Sequence, residues 1–274
     1  MFSQEFMRNA LLAGTFVALA CGVAGWFVVL RGQVFAGDAL SHVAFPGALA
    51  AAAAGVDQRI GLFVATIVVG AAIGALGRGA LARGTAGSSP ADDTTIGVVF
   101  TFILGLGVFF LARVGMSSDG GSGIAGAHTL FGSIFGLTAG EARLAAAIAL
   151  VATFATVAIG RPLLFASVAP AVAAARGVPT RLLGIGFVAL LGVVAAEATQ
   201  VVGALLLLGL LAAPAAAAQR IARGPFLAIA LAGGLAVAAM WGGLALAYAI
   251  PSLPPSTAIV TIAVVIYYVS ATLA

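Results

Sequence analysis

Apolar runs of about the 20 residues needed to cross a bilayer core as helix follow one another along the whole chain, separated by short polar or glycine-rich breaks. The first covers about Leu11 to Leu30 and stops at Arg31, and the second covers about Val34 to Gly55, before Asp57-Gln58-Arg59. A third runs from Ile60 to about Gly77, with Gly70 and Gly74 spaced for close helix contact. Arg78 to Asp93 reads as a polar loop whose last residues, with Thr94 and Thr95, supply helix N-caps for a fourth span to about Val114. The stretch Met116 to His128 is rich in Gly and Ser, and a short apolar piece, Leu130 to Leu137, precedes a fifth span from about Leu144 to Gly160.

Arg161 to Arg181 is the longest basic interruption. Within it Pro170, then Gly177 and Pro179, mark the start and stop of a short helix between spans. Leu182 to Ala218 is 37 residues, too long for one comfortable span, and the polar Glu197-Ala198-Thr199-Gln200 predicts a turn or unwound segment dividing it in two. An eighth span, about Pro225 to Ile250, and a ninth, from about Thr257 onward, flank a proline turn at Pro251 to Pro255. The pattern predicts an all-α, polytopic membrane bundle of eight or nine transmembrane helices forming a single transmembrane domain over 1–274. Strands of alternating polarity, the mark of a barrel, are absent from the pattern.

Composition agrees. Hydrophobic residues make up 63% and charged residues 7% of 274 positions, against about 25% charged in soluble domains. No charged segment leads into a short apolar run with a small-residue cleavage site, so the first span is expected to be retained. All 12 basic residues are arginine, scattered singly between apolar runs, which is the pattern of membrane orientation rather than of nucleic-acid binding. They place the Arg161–Arg181 and Arg220–Arg223 loops in the cytoplasm, with the N-terminus outside and the C-terminus inside if there are nine spans. Without a lysine the chain has no P-loop, so it is not itself a P-loop ATPase. The single cysteine, Cys21, forms no intrachain disulfide.

Against this background Gly37-Asp38-Ala39-Leu40-Ser41-His42, followed by Pro46-Gly47, stands out, because it sets an acid and an imidazole inside a membrane span. Residues four apart share a helix face, so Asp38 and His42 can address one ion or water, with Ser41 close by. Pro46 has no N–H for the carbonyl of His42, which predicts a kink and a free carbonyl there. Intramembrane ionisable groups are expensive and mark pathways. The alternative for this pair is a structural one, bonding to neighbouring helices. Glu197 is the other deep acid, either a pathway residue or one at a helix boundary touching water. His128 reads as a solvated loop residue. An Asp/His pair suits zinc, manganese or iron, and two ligands short of a closed site suit a transported ion that has to leave.

With those residues in view, the chain resembles the membrane permease of bacterial zinc/manganese/iron ABC importers. The likeness rests on Gly37-Asp38-x-Leu40-Ser41-His42 with Pro46-Gly47, on Asp93-Thr94-Thr95-Ile96-Gly97, on Leu130-Phe131-Gly132-Ser133-Ile134, and on Val202-Gly203-Ala204-Leu205 followed by Leu210-Leu211 and Pro214-Ala215-Ala216. The resemblance implies a multi-pass bacterial inner-membrane protein that imports a divalent metal as substrate. It also implies a homodimer carrying a cytoplasmic ABC ATPase on each copy, which binds the ATP, and fed by an extracytoplasmic metal-binding protein. No cofactor is expected on this chain, and it is not expected to be an enzyme.

The same resemblance makes the segment of about Pro170 to Gly177 the element that couples to the ATPase, with Pro170, Ala173, Ala174, Arg176 and Gly177 the residues of interest. Where the family often carries two acids, this chain has Val168-Ala169-Pro170-Ala171, so docking is expected to rest on packing of Ala173 and Ala174. The alternative function is a secondary metal-ion transporter driven by a cation gradient, which predicts two similar halves with matching interrupted helices; one interruption and no convincing repeat are present. An intramembrane protease is a poor fit, since there is no H-E-x-x-H and His42 has no serine at an elbow motif.

Overall fold

The computed structural model describes residues 4–76, 90–117, 134–204, 207–250 and 252–273. Among these residues there are eleven α-helices and no strand: α1 Glu5–Leu30, α2 Val34–Ala53, α3 Gln58–Leu76, α4 Pro90–Ser117, α5 Ala139–Ala158, α6 Gly160–Val168, α7 Pro170–Ala175, α8 Thr180–Val201, α9 Leu207–Ile221, α10 Pro225–Ala249 and α11 Pro255–Leu273. A single 3-10 turn, Ile134–Gly136, precedes α5. Eight of the helices are long and apolar enough to cross a membrane, and α9, with 15 residues, is shorter.

The spans fall where the hydrophobic runs predict them, with displaced ends. Helix α1 starts at Glu5, six residues before the apolar run, because polar residues at a span's end extend into the headgroup layer without breaking the backbone ladder. Helix α4 starts at Pro90, a favoured first-turn residue, so Asp92 to Thr95 lie inside the helix instead of capping it.

The largest correction concerns α8, which continues through Glu197 to Gln200 and ends at Val201. Polar side chains do not themselves interrupt a helix whose surroundings are protein. The stop comes at Gly203, whose φ of 105° is open to glycine and costly to other residues. The amides of Val202 and Gly203 both reach the Ala198 carbonyl, at 2.8 and 3.4 Å, closing the end.

The chain divides into two compact units. One contains α1, α5, α9, α10 and α11 with the end of α8. Its core is built on Met7, Phe27, Leu207, Leu210, Leu211, Met240, Leu244 and Ile259, all fully buried. Lipid tails are as apolar as leucine, so close backbone approach and polar contacts hold such a unit together. A Cβ on Gly22 would come within 2.7 Å of the Ala232 carbonyl carbon, and one on Gly243 within 2.6 Å of the Ile259 nitrogen. The Gln219 amide donates to the Trp26 carbonyl at 3.1 Å, tying α9 to α1. The Trp241 indole donates to the Thr15 hydroxyl at 2.9 Å, tying α10 to α1. Asn9 reaches the Leu137 carbonyl at 3.2 Å, fastening α1 to the segment before α5.

The other unit contains α2, α3, α4, α6, α7 and α8 up to Ala196. Leu40, Leu163, Phe187 and Leu191 are its largest buried side chains. Gly70 and Gly74 of α3 seat against Val188 and Ile185 of α8, where an added Cβ would stand 2.6 Å from the Val188 oxygen and 2.8 Å from the Ile185 Cα, as their spacing predicts. Gly47 and Gly61 bring α2 and α3 together in the same way. Ala44, Ala48, Leu62 and Ala196 form a buried cluster with Phe63 against it, which fixes the rotation of α2 beneath its polar residues.

Candidate functional site

Helix α2 positions the polar pair. It runs unbroken from Val34 to Ala53 with Pro46 inside it. Pro46 is also a packing surface: a Cβ on Gly107 of α4 would stand 2.8 Å from its Cγ. With α3 on one side and α4 on another, α2 buries Ala36, Ala39, Leu40, Val43, Ala44 and Pro46. Its least covered stripe is Phe35, Asp38, His42 and Phe45, spaced as one helix face.

On that stripe His42 Nε2 lies 4.0 Å from Asp38 Oδ1, with 22% and 33% of the two side chains exposed. At helical rise the pair sits about 6 and 12 Å into the span, counted from Val34. The two groups are close enough to act on one ion and too far apart to satisfy each other by a hydrogen bond. Phe100 of α4 stands beside the imidazole, ring centroids 5.6 Å apart, and backs it with an apolar wall. Ser41 is fully buried, and its hydroxyl donates to the Asp38 carbonyl at 2.6 Å, so its proton is spent on the backbone.

Glu197, on α8, is 1% exposed. Nearby on the same helix end, the Thr199 hydroxyl and the Gln200 side-chain nitrogen are buried without a hydrogen-bond partner among the described residues. Among the described residues no three His, Cys, Asp or Glu side chains converge on one point. His128 lies outside the described residues. At the far end of α2 a cavity of about 460 Å³ is lined by Ala50, Ala53, Ala54, Phe109, Phe110 and Arg113, whose only charge is positive.

The Pro170–Gly177 segment is the short helix that its start and stop signals predict. Pro170 occupies the first turn of α7 and Arg176 its C-cap. The Gly177 amide reaches the Ala174 carbonyl and the Val178 amide the Ala173 carbonyl, both at 3.0 Å, forming a Schellman motif with Gly177 at φ 80°. Ala173, one of the two alanines expected to pack against the ATPase, is fully buried in the chain itself. The helix is six residues long and amphipathic only by rotation, so sequence shows no difference between the two neighbouring alanines. The outer face carries Val172, 51% exposed, with Ala174 and Arg176.

Phe100 was invisible to sequence reasoning, because α2 and α4 are joined by a non-local contact with no spacing signal. The same holds for Arg31, whose guanidinium meets Gln33, Ser167 and Phe187 from three elements.

The sequence profile of the ABC 3 transport family matches residues 3–274. The manganese transport system membrane protein MntC of Halalkalibacterium halodurans is 30% identical over 218 residues, covering 80% of this chain and 70% of that protein. The manganese import system permease protein ScaB of Streptococcus parasanguinis is 27% identical over 260 residues, covering 95% and 88%. Among solved structures, PsaBC from Streptococcus pneumoniae in complex with Fab superposes with a TM-score of 0.82 at 26% identity, over 97% of this chain and 91% of that one.

Proposed function

The chain belongs to the ABC 3 transport family, and we propose that it is the membrane permease of an ATP-driven importer that carries a divalent transition metal into the cytoplasm, manganese foremost. The observation that carries this reading is the Asp38–His42 pair on a membrane helix of a chain that matches the family along nearly its whole length. Carboxylate and imidazole suit manganese, iron and zinc alike. Two protein ligands hold such an ion loosely enough to release it, with water and backbone oxygens completing its shell. Glu197 is a second acid within a membrane span, on α8. The secondary-transporter alternative has no support from the family match and is set aside.

A charged side chain costs about 2.5–3.5 kcal/mol or more at the centre of a membrane helix, so the Phe35–Asp38–His42–Phe45 stripe is not a lipid-facing surface. A second copy of the chain covers it, and the pathway runs between the two. On the cytoplasmic side a separate ABC ATPase docks on α7, where Pro170 and Gly177 fix the ends of the helix, Val172 and Ala174 offer apolar contact and Arg176 adds charge at the C-terminus. An extracytoplasmic metal-binding protein delivers the ion.

Reconstitution of the permease with its cognate ATPase and binding protein in liposomes tests the reading. Uptake of manganese, iron or zinc that requires internal ATP is the expected result. Uptake by the permease alone, driven by a proton or sodium gradient, would overturn it.

A further inference from the structure

The turn between α1 and α2 holds a guanidinium that the transport reading leaves unused. Arg31 Nη1 donates to the Ser167 hydroxyl of α6 at 3.2 Å. Its Nε donates to the Gln33 side-chain oxygen at 3.1 Å. Its Cζ lies 5.6 Å from the centre of the Phe187 ring on α8. Burial pulls this group down from the usual arginine range.

The contacts connect two functional segments. Gln33 is the N-cap residue of α2, and its side chain makes no cap hydrogen bond, being given instead to Arg31. Asp38 follows five residues later on the same helix. Ser167 is the penultimate residue of α6 and stands three residues before Pro170, the start of α7. Its own hydroxyl donates to the Leu163 carbonyl at 2.6 Å, so Ser167 moves with α6 as one piece. Among the described residues the partners of Arg31 are all neutral. A neutral acceptor holds an arginine less strongly than a carboxylate does, which suits a contact that is remade in each cycle. The planar fork addresses both hydrogen-bond acceptors from fixed directions while its central carbon stands over the ring, an arrangement that lysine cannot copy.

We propose that Arg31 is a positioning residue that carries movement of the α6–α7 segment to the start of α2, and through it to the Asp38–His42 pair. This inference rests on the permease reading above, and its test separates the two. Metal uptake, ATP hydrolysis and subunit assembly are measured in liposomes holding the permease, its ATPase and the binding protein. Hydrogen exchange of the peptide over residues 34–45 is followed with and without ATP. Arg31→Lys is expected to keep assembly and hydrolysis while lowering metal moved per ATP by about fivefold or more. It is also expected to abolish the ATP-dependent change in exchange at 34–45. A merely structural arginine would leave that ratio and that response intact in whatever complex assembles.

If Arg31→Lys fails to assemble, Ser167→Ala decides, because it removes one acceptor from a small side chain. It is expected to lower the same ratio and blunt the same exchange response. Wild-type coupling in Ser167→Ala, or in an assembled Arg31→Lys complex, overturns the proposal. Absence of ATP-driven uptake in the unmodified complex would instead overturn the permease reading.

Discussion

His42 Nε2 and Asp38 Oδ1, one helical turn apart on α2, are separated by 4.0 Å, about twice a metal–ligand bond of roughly 2.0–2.2 Å. One ion placed between them would touch both without displacing the helix. The relationship predicts that Asp38→Asn and His42→Ala each lower divalent-metal uptake by roughly tenfold or more, since loss even of outer-sphere partners commonly costs 10–100-fold. Both residues lie on the least covered face of α2, so the isolated variant chains should melt like the parent. Uptake assays in liposomes and thermal melts of the purified protein check the two halves of this expectation. Normal uptake by both variants would remove the pair from the pathway.

Helix α2 is held by close contact with α3 at Gly47 and Gly61, and the Gly47 position tolerates no larger side chain: a Cβ there would meet the Gly61 oxygen at 2.7 Å. Gly47→Val should destabilise the protein by about 1–3 kcal/mol, the usual cost of forcing volume into a packed interior. On α4, Gly105 has open space around its Cβ position, and Gly105→Ala should cost no thermal stability. A melting temperature unchanged by Gly47→Val would show that the two helices part readily.

Glu141 and Thr138 form a reciprocal cap at the start of α5. The Thr138 amide donates to Glu141 Oε2 at 2.9 Å, and the Glu141 amide to the Thr138 hydroxyl at 3.3 Å. Loss of such a cap costs about 1 kcal/mol. Thr138→Ala should therefore raise hydrogen exchange in the first turn of α5 and leave transport intact, because no residue proposed for the pathway lies on that helix.

What could be read in advance follows a physical division. Membrane spans announce themselves by length and apolarity, so all eight long helices and the short α7 were legible, and so was the Asp38–His42 face, which depends only on helical period. Ends of helices were less so. Polar Glu197–Gln200 reads as a break in the sequence, whereas the helix runs to Val201 and the left-handed backbone of Gly203 makes the stop. Contacts between distant segments carried no signal at all. Neither Phe100 beside His42 nor Ser167 beside Arg31 has a spacing that betrays it, and the burial of Ala173 needed the packed neighbours of α7 to be seen.

That burial changes how coupling should be probed. Ala173 is fully enclosed and Ala174 is exposed, although they are neighbours in one six-residue helix. Tryptophan at 173 has to displace the permease's own interior, so Ala173→Trp should lower the melting temperature of the isolated chain, in line with the cost of overpacking. Tryptophan at 174 projects outward, so Ala174→Trp should leave the isolated chain as stable as the parent and act only when the ATPase is present. The face has no carboxylate, and its contact is apolar through Val172, so association should survive moderate salt, which screens charge and leaves packing untouched. Co-purification of the ATPase with each variant, at low and moderate salt, reads both points at once. Full retention of the ATPase by Ala174→Trp would mean that docking uses another surface, and release of the wild-type ATPase by moderate salt would mean that the arginines, Arg176 among them, supply the force instead.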